Sequence, residues 1–414
     1  MTGLVHVIGA GLAGLAAAVR LCERGGAVVL HEAAGHAGGR CRSYHDSALD
    51  MVIDNGNHLL LSANRAALAY LATIGAAARL AGPAHAQFAF MDLADGARWT
   101  LRINDGRLPW WIFDHRRRVP GTTAGDYLSI ARLLWRSRGR TVCERVKCEG
   151  TLYHRLARPL WLAALNTDPL EASARLAGAV TRETLARGGR ACCPLVAPDG
   201  LGDAFIEPAM SFLRARNVKV VLGHRLRALE LTHDRLASLD FGDERLAVGE
   251  CEGAILAVPS TVAAALIPNL QAPDQFRAIV NAHFRIDPPA ALASITGIVN
   301  GTIEWLFAFR HRLSVTISCA DRLLDVPREE LARKIWREVA AVTGLPKNMP
   351  PWQIVRERRA TFAATPAQNA RRPGAATAWR NLFLAGDWTN TGLPATIEGA
   401  VRSGNRAADL ICRH

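Results

Sequence analysis

The chain has 414 residues, half of them hydrophobic, with 35 glycines, 20 prolines and a formal net charge of +13 at pH 7. This length exceeds one ordinary core and predicts a globular protein of two intertwined domains, which excludes a disordered or fibrous chain. Only four lysines occur (Lys147, Lys219, Lys334, Lys347), so the positive charge is nearly all arginine, and it attracts phosphates of lipid headgroups, nucleic acid or an anionic substrate.

Nine cysteines are scattered without a CxxC pair or a metal-like Cys/His spacing, and Cys192 and Cys193 are adjacent. No disulfide framework and no metal site are expected, and the pattern fits a reducing cytoplasm. The chain opens on a strand, so no signal peptide is expected. No uncharged apolar run reaches the roughly 18 residues of a spanning helix.

In chain order, Leu4 to Ile8 reads as a strand and Gly9-Ala10-Gly11-Leu12-Ala13-Gly14 as a turn that opens a helix. Val28 to His31 reads as a second strand, with Glu32 at its end. Gly9 permits the tight turn, Gly11 lets the backbone approach a pyrophosphate, and Gly14 lets the helix lie close on the sheet. The N–H groups of the helix start, those of Leu12 and Ala13 included, face the phosphates along the helix dipole. Glu32 stands 18 residues beyond Gly14, where a carboxylate accepts from ribose hydroxyls and opposes a 2′-phosphate. A lone GxGxxG is weak, but the strand before it, the helix after it and the acid beyond define a dinucleotide site.

Ala37-Gly38-Gly39-Arg40-Cys41-Arg42-Ser43 follows at once, a second glycine–arginine loop for which a simple NAD domain has no use. Asp50 to His58 reads as a short strand running into a turn, with Asp50 solvated and Asp54, Asn55, Gly56, Asn57 and His58 as candidate site residues. A helix is predicted over about 64–75, and strands over 87–91 and 98–103. Leu108 to Phe113, followed by His115-Arg116-Arg117-Arg118, is an aromatic-then-arginine cluster. A helix predicted over about 124–137 ends in a second one, Trp135-Arg136-Ser137-Arg138-Gly139-Arg140. Each cluster alone reads as a core aromatic beside a solvated basic face. Together, in a basic chain without a spanning helix, they suggest peripheral membrane contact, rings at headgroup level and cations on phosphate.

Residues 151–187 read as two helices broken near Asn166-Thr167-Asp168-Pro169, and Pro194 to Gly202 reads as a loop before a helix over about 203–216. Segments 218–222, 225–230 and 236–241 look like a meander, and 252–259 like a buried strand. Alternation over 301–309 and 313–319 predicts antiparallel strands. Arg328 to Gly344 is an amphipathic helix closed by glycine, and 352–358 a further strand. Asn381 to Thr389 is a strand ending in Gly386-Asp387, and Gly392 to Gly404 opens the last helix, with Gly399 and Gly404 allowing close helix–sheet packing.

Gly9 to Gly14, Glu32, Gly38-Gly39-Arg40 with Ser43, and Gly386 to Gly404 resemble the FAD-dependent amine oxidase and carotenoid desaturase superfamily, over the whole length. The resemblance implies FAD rather than NAD, with Arg40 on the flavin side of the cofactor and Asp54 to His58 near the isoalloxazine ring. It places the Leu226 backbone at the adenine and Asp387 at the ribityl chain or pyrophosphate. The N–H groups near Thr396 and Ile397 would meet the flavin where the reduced ring is negative. The implied fold is α/β: a Rossmann-like FAD-binding domain from 1–85, 200–268 and 372–414, interleaved with an α+β substrate domain from 86–199 and 269–371.

Asp54 to Asn64, Pro198 to Gly202 and Gly392 to Gly404 look like the squalene-associated branch, the hydroxysqualene dehydroxylases of bacterial hopanoid synthesis. That branch implies reduction of a polyisoprenoid, hydroxysqualene, to squalene by reduced FAD, with an electron donor that the sequence does not name. It also implies a cytoplasmic protein at the inner face of the membrane, near other squalene-pathway enzymes. The candidate proton donors for the leaving hydroxyl are His58 and Asp54, with Glu398 third. An amine oxidase is a rival within the fold, but those enzymes usually place aromatic walls near the C-terminus and often a lysine-held water beside the flavin. Here all four tyrosines lie at or before residue 153, and no lysine lies beyond 347. The last motif also lacks the cysteine that links flavin covalently in some of them, so noncovalent FAD is expected. A polyene desaturase and a non-enzymatic flavin- or lipid-binding partner of a prenyl-transferring complex are further readings. No motif supports a nucleic-acid partner.

Overall fold

The structure is a computed structural model describing residues 3–135 and 137–413; Arg136, inside the second aromatic–arginine cluster, lies outside the described residues. Five short parallel strands form the first sheet, in the order Leu382–Leu384, Gly253–Leu256, Val5–Ile8, Val28–His31, Lys219–Val221. All-parallel strands must be covered on both faces, and they read as apolar runs. One face takes the first helix, Leu12–Glu23, with the last helix, Ile397–Ile411, packed against it. The other takes an antiparallel sheet of Ala228–Leu231, Leu236–Asp240 and Arg245–Ala247.

Two expectations change here. Lys219–Val221 does not join the meander; it adds to the edge of the parallel sheet beside Val28–His31. Gly404 serves helix–helix rather than helix–sheet packing: a Cβ there would lie 2.1 Å from the Ala13 carbonyl oxygen of the first helix.

The second sheet has seven strands, in the order Trp352–Phe362, Phe276–Arg285, Arg312–Ile317, Trp305–Phe309, Ile295–Val299, Gln87–Asp92, Arg98–Arg102. Side chains alternate between its faces. Val280, Ala282, Phe284, Leu313, Val315 and Ile317 meet one apolar stripe of the helix Arg328–Thr343, made by Leu331, Ile335, Trp336 and Val339. Each such burial stabilises by about 1.5–3 kcal/mol, and Gly344 ends that helix at φ +73° as its C-terminal glycine requires.

The opposite face is divided. Its Asn281, His283, Ser314 and Thr316 are polar, whereas Phe88, Phe90, Trp99, Trp305, Phe307 and Phe309 form an aromatic half. A helical cap from 110 to 165 lies over the aromatic half, contributing Trp111, Ile112, Tyr127, Leu152 and Leu156.

The helix predicted over 124–137 is shorter, Ala124–Ala131, and opens on a Thr123/Asp126 capping box. A single tighter turn, Arg132–Leu134, follows it; Leu133 is buried there, and its carbonyl presses onto Gly178 of the helix Ala174–Glu183, where a Cβ would sit 2.2 Å away. The expected absence of disulfides is also corrected. Cys143 and Cys148 are bonded, brought within 5.3 Å (Cα–Cα) by a turn whose Val142 and Val146 are buried.

Candidate active site

The turn after the first strand is built as its glycines require. Gly9 has φ +106°, and a Cβ there would meet the Ala257 carbonyl oxygen at 2.4 Å. A Cβ on Gly14 would lie 1.8 Å from the Gly9 carbonyl oxygen, whereas one on Gly11 would meet nothing within 4 Å. The first helix starts at Leu12 with no side-chain cap, so its first-turn amides, those of Leu12 and Ala13 among them, open onto this free space. The second loop folds over the first: the Gly38 N–H donates to the Ala10 carbonyl at 2.8 Å, and Gly11 and Gly38 form an isolated bridge. Backbone donors, open space and a helix dipole together fit a pyrophosphate.

Glu32 accepts from the Ala10 N–H at 2.7 Å and the Ala34 N–H at 2.8 Å, one on each oxygen. A carboxylate has about four acceptor sites, so each oxygen keeps one for a ribose hydroxyl. The Glu32 carbonyl takes the His224 N–H, which brings Leu226 to the same end of the sheet; no intramolecular hydrogen bond engages the Leu226 backbone among the described residues. Sequence reading missed the ring stack here. His6, His31 and His224 form a hydrogen-bonded row (3.2 and 2.9 Å), and His224 stacks on Phe241 at 3.7 Å. Burial lowers the His31 pKa to about 3, with His6 and His224 adding to the effect.

The two ends of the chain meet at Arg40. Its guanidinium lies 2.7 and 2.8 Å from the two oxygens of Asp387, which hold it charged, and also donates to the Ala360 carbonyl. Arg372, also missed, is buried and fixes the Gly386-Asp387 loop by donating to the carbonyls of Asp387, Trp388 and Thr389. Nothing in the arginine-rich sequence marked it out. Thr396 caps the last helix by accepting from the Gly399 N–H at 3.0 Å, so the helix start at Ile397 stands beside this loop.

The segment 54–58 joins the two sheets. The Asn55 side chain donates to Glu357, and Asn57 donates to Thr316 Oγ1, the Val315 carbonyl and Asn281. Gly56 lies against Asn281. The polar half of the seven-stranded sheet is thus the docking face for the cofactor half. One buried acceptor, Asn57 Oδ1, has no partner among the described residues.

Of the three candidate proton donors, two are fully engaged elsewhere. Asp54 is buried and accepts from Ser43 Oγ at 2.6 Å and the Leu201 N–H at 2.8 Å, with Arg312 3.6 Å away. Burial raises its pKa, and these three partners oppose the rise. It ties the hairpin Ser43–Asp54 to the Pro198–Gly202 loop, which explains that loop's glycines: a Cβ on Gly200 would lie 2.9 Å from Ser43 Oγ. Glu398 is buried and accepts from the Ala66 and Ala67 N–H groups (3.1 and 2.9 Å) and from Arg402 Nε at 2.7 Å. It caps the helix Arg65–Thr73 from across the chain. His58 differs: its ring makes no hydrogen bond among the described residues, and it stands near Arg40. Burial, and secondarily Arg40, lower its pKa to about 4, so it is neutral at pH 7.

This is the architecture of a flavin-dependent oxidoreductase, a Rossmann-like half docked on the polar face of a second sheet. Residues 12–412 match the family of flavin containing amine oxidoreductases. Solved structures with the same fold include cyclohexylamine oxidase from Brevibacterium oxydans (TM-score 0.73, 17% identity, 99% of this chain and 98% of that one). Putrescine oxidase is another (TM-score 0.70, 15% identity, 100% of each). At the level of sequence the likeness is to a different branch. A hydroxysqualene dehydroxylase of Rhodopseudomonas palustris is 58% identical over 99% of each chain. One from Sinorhizobium fredii is 56% identical over 98% of this chain and 97% of its own. The chain belongs to the hydroxysqualene dehydroxylase family, within the flavin containing amine oxidoreductases.

Proposed function

We propose that this protein reduces hydroxysqualene to squalene with FAD, drawing its substrate from a lipid surface. The observation that supports this most is the divided sheet. Its polar half docks on the segment 54–58, and its aromatic half, packed beneath the helical cap, makes the wall beside that seam apolar rather than charged, as a polyisoprenoid requires. When bound and reduced, FAD supplies a hydride and a proton, so that the substrate alcohol becomes hydrocarbon and water in balance. Gly11, Leu12 and Ala13 hold the pyrophosphate, Glu32 the ribose, Leu226 the adenine, and Arg40, Asp387, Thr396 and Ile397 the flavin end.

The chain's own part is to loosen an allylic C–O bond and protect the cation. Neutral His58 donates a hydrogen bond to the departing oxygen rather than acting as a strong acid. Trp305 and Phe307 pair across the strands with Thr316 and Ser314 of the polar half, so a wall of rings that cannot attack a cation adjoins the seam. Cys192 lies in the same aromatic layer, and burial pushes its thiol up to about 12, so no thiolate competes for the cation. The electrons come from an external donor. In the assay of squalene formation under steady reduction, His58→Ala should lower kcat by about 100-fold, the lower end of the range for general acid–base groups. Undiminished kcat would remove His58 from the reaction.

Membrane contact rests on the turn Trp110–Phe113. Trp110 and Phe113 are each 64% exposed, while Trp111 and Ile112 face the core. Leu108, Leu128 and Trp135 are exposed in the same region. No helix among the described residues is long and apolar enough to cross a membrane. We read these residues as tips that enter the headgroup layer, on a basic surface that suits the anionic inner leaflet. Trp110→Ser/Phe113→Ser should reduce binding to phosphatidylcholine vesicles at least several-fold; unchanged binding would refute it.

A further inference from the structure

Behind Trp135 lies an open pocket of about 760 Å³ lined by Leu134, Trp135, Ser137, Arg138, Arg175 and Arg182. We propose that it is a recognition site for the phosphate of an anionic phospholipid headgroup, an inference that rests on the membrane-contact reading above.

Three observations carry it. The first is charge. Among the described residues the lining holds three arginines and no carboxylate. Among the described residues, Arg138 and Arg175 have no hydrogen-bond or ion-pair partner, and the one bond of the Arg182 side chain is to the Leu134 carbonyl. Unpaired guanidinium forks beside one another repel unless an anion lies between them, and phosphate matches that fork geometry.

The second is construction. Arg175 and Arg182 are seven residues apart on the helix Ala174–Glu183, which puts them on one face two turns apart. Between them Gly178 admits the Leu133 carbonyl, which seats the turn Arg132–Leu134 on the helix, and Arg138 lines the same opening. The segment is pinned there by the Thr141–Ser173 bridge and by the Ala174 N–H donating to the Arg140 carbonyl.

The third is position. Trp135, 64% exposed, stands at the pocket's mouth. The turn Trp110–Phe113 packs on the helix Ala124–Ala131, which runs into the Arg132–Leu134 turn lying on the helix Ala174–Glu183, so the apolar tips and the arginine pocket are carried by a series of elements in contact. An indole in the headgroup layer with guanidinium groups at phosphate depth is the arrangement of a lipid-surface site. A phospholipid supplies both the phosphate and the acyl chain for Trp135; inorganic phosphate supplies only the first.

The test uses the FAD-loaded enzyme and vesicle flotation with phosphatidylcholine alone or mixed with phosphatidylglycerol. Arg175→Gln/Arg182→Gln should abolish most of the preference for phosphatidylglycerol while leaving binding to phosphatidylcholine intact. A control that removes the same charge from the same region, Arg107→Gln/Arg116→Gln, should lose at least about ten-fold less, because surface charge acts through the field alone. Equal losses in the two variants would overturn the site and leave only a diffuse basic surface. If the wild type floats with neither vesicle, the membrane reading fails and the site falls with it. Water-soluble short-chain phosphatidylglycerol should quench the fluorescence that Trp135→Phe removes, saturably. A matching response to inorganic phosphate at equal ionic strength would instead make the pocket a free-anion site and refute the lipid assignment.

Discussion

Replacing Glu398 by glutamine separates a structural carboxylate from a catalytic one. In the wild type its two oxygens take three donors: the Ala66 and Ala67 amides and Arg402 Nε. An amide keeps one acceptor oxygen and turns an NH2 group toward the other donors. At least one buried N–H then loses its acceptor, at a cost of about 1–3 kcal/mol. The helix Arg65–Thr73 also loses a negative charge at its N-terminus, worth about 0.3–1 kcal/mol, although Arg402 keeps Glu183. The sum is about 1.3–4 kcal/mol of stability. With an unfolding entropy of roughly 2.1 cal/mol/K per residue, that lowers Tm by about 1.5–5 °C. Differential scanning calorimetry on the FAD-loaded protein should show that drop, while kcat for squalene formation, measured well below Tm, changes less than about two-fold. A normal Tm with kcat reduced more than about ten-fold would refute the reasoning and return Glu398 to the reaction.

Glu32→Ala should weaken FAD binding by about one to two orders of magnitude through lost charge-assisted bonds, read by flavin fluorescence on dilution; unchanged affinity would mean the ribose is held elsewhere. Gly11→Val should leave the fold intact, since its Cβ meets open space, yet abolish flavin retention. Gly14→Ala should destabilise the fold itself by about 1–3 kcal/mol or more; similar flavin loss with normal melting in both would contradict the distinction. Burial holds His31 and His283 neutral, with pKa values lowered to about 3 each, against about 6.5 when unfolded. Below pH 6.5 the unfolded chain takes up protons that the native chain refuses, so stability falls as pH drops from 6.5 toward 3. Each histidine adds about 1.4 kcal/mol per pH unit to that slope. Urea unfolding at pH 6.5 and 5 should show it, and His283→Asn should reduce it by one share; a flat profile would show that these rings are charged in the fold.

The glycine turn after the first strand and the terminal Gly386-Asp387 loop were legible because their glycines answer local demands, a positive φ at Gly9 and a backbone contact at Gly14, that no other residue meets. The seven-stranded sheet was legible in pieces, since alternation marks a strand but not its neighbours; Lys219–Val221 therefore read as part of a meander although it edges the parallel sheet. The roles of Asp54 and Glu398 were not legible. A buried carboxylate near a cofactor motif reads the same whether it serves chemistry or caps a helix 332 positions away in the chain, as Glu398 does for Ala66. Arg372 was hidden for the opposite reason, one buried guanidinium among many exposed ones. The Cys143–Cys148 pair depended on a turn that the sequence did not mark.

The central claim is that electrons held on this protein's flavin remove the hydroxyl of hydroxysqualene. The direct measurement is anaerobic: reduce the bound FAD photochemically, add hydroxysqualene in detergent or vesicles, and follow flavin absorbance together with squalene. The account predicts reoxidation of the flavin with one squalene formed per FAD. Reoxidation without squalene, or a flavin that stays reduced in the presence of the alcohol, would contradict it.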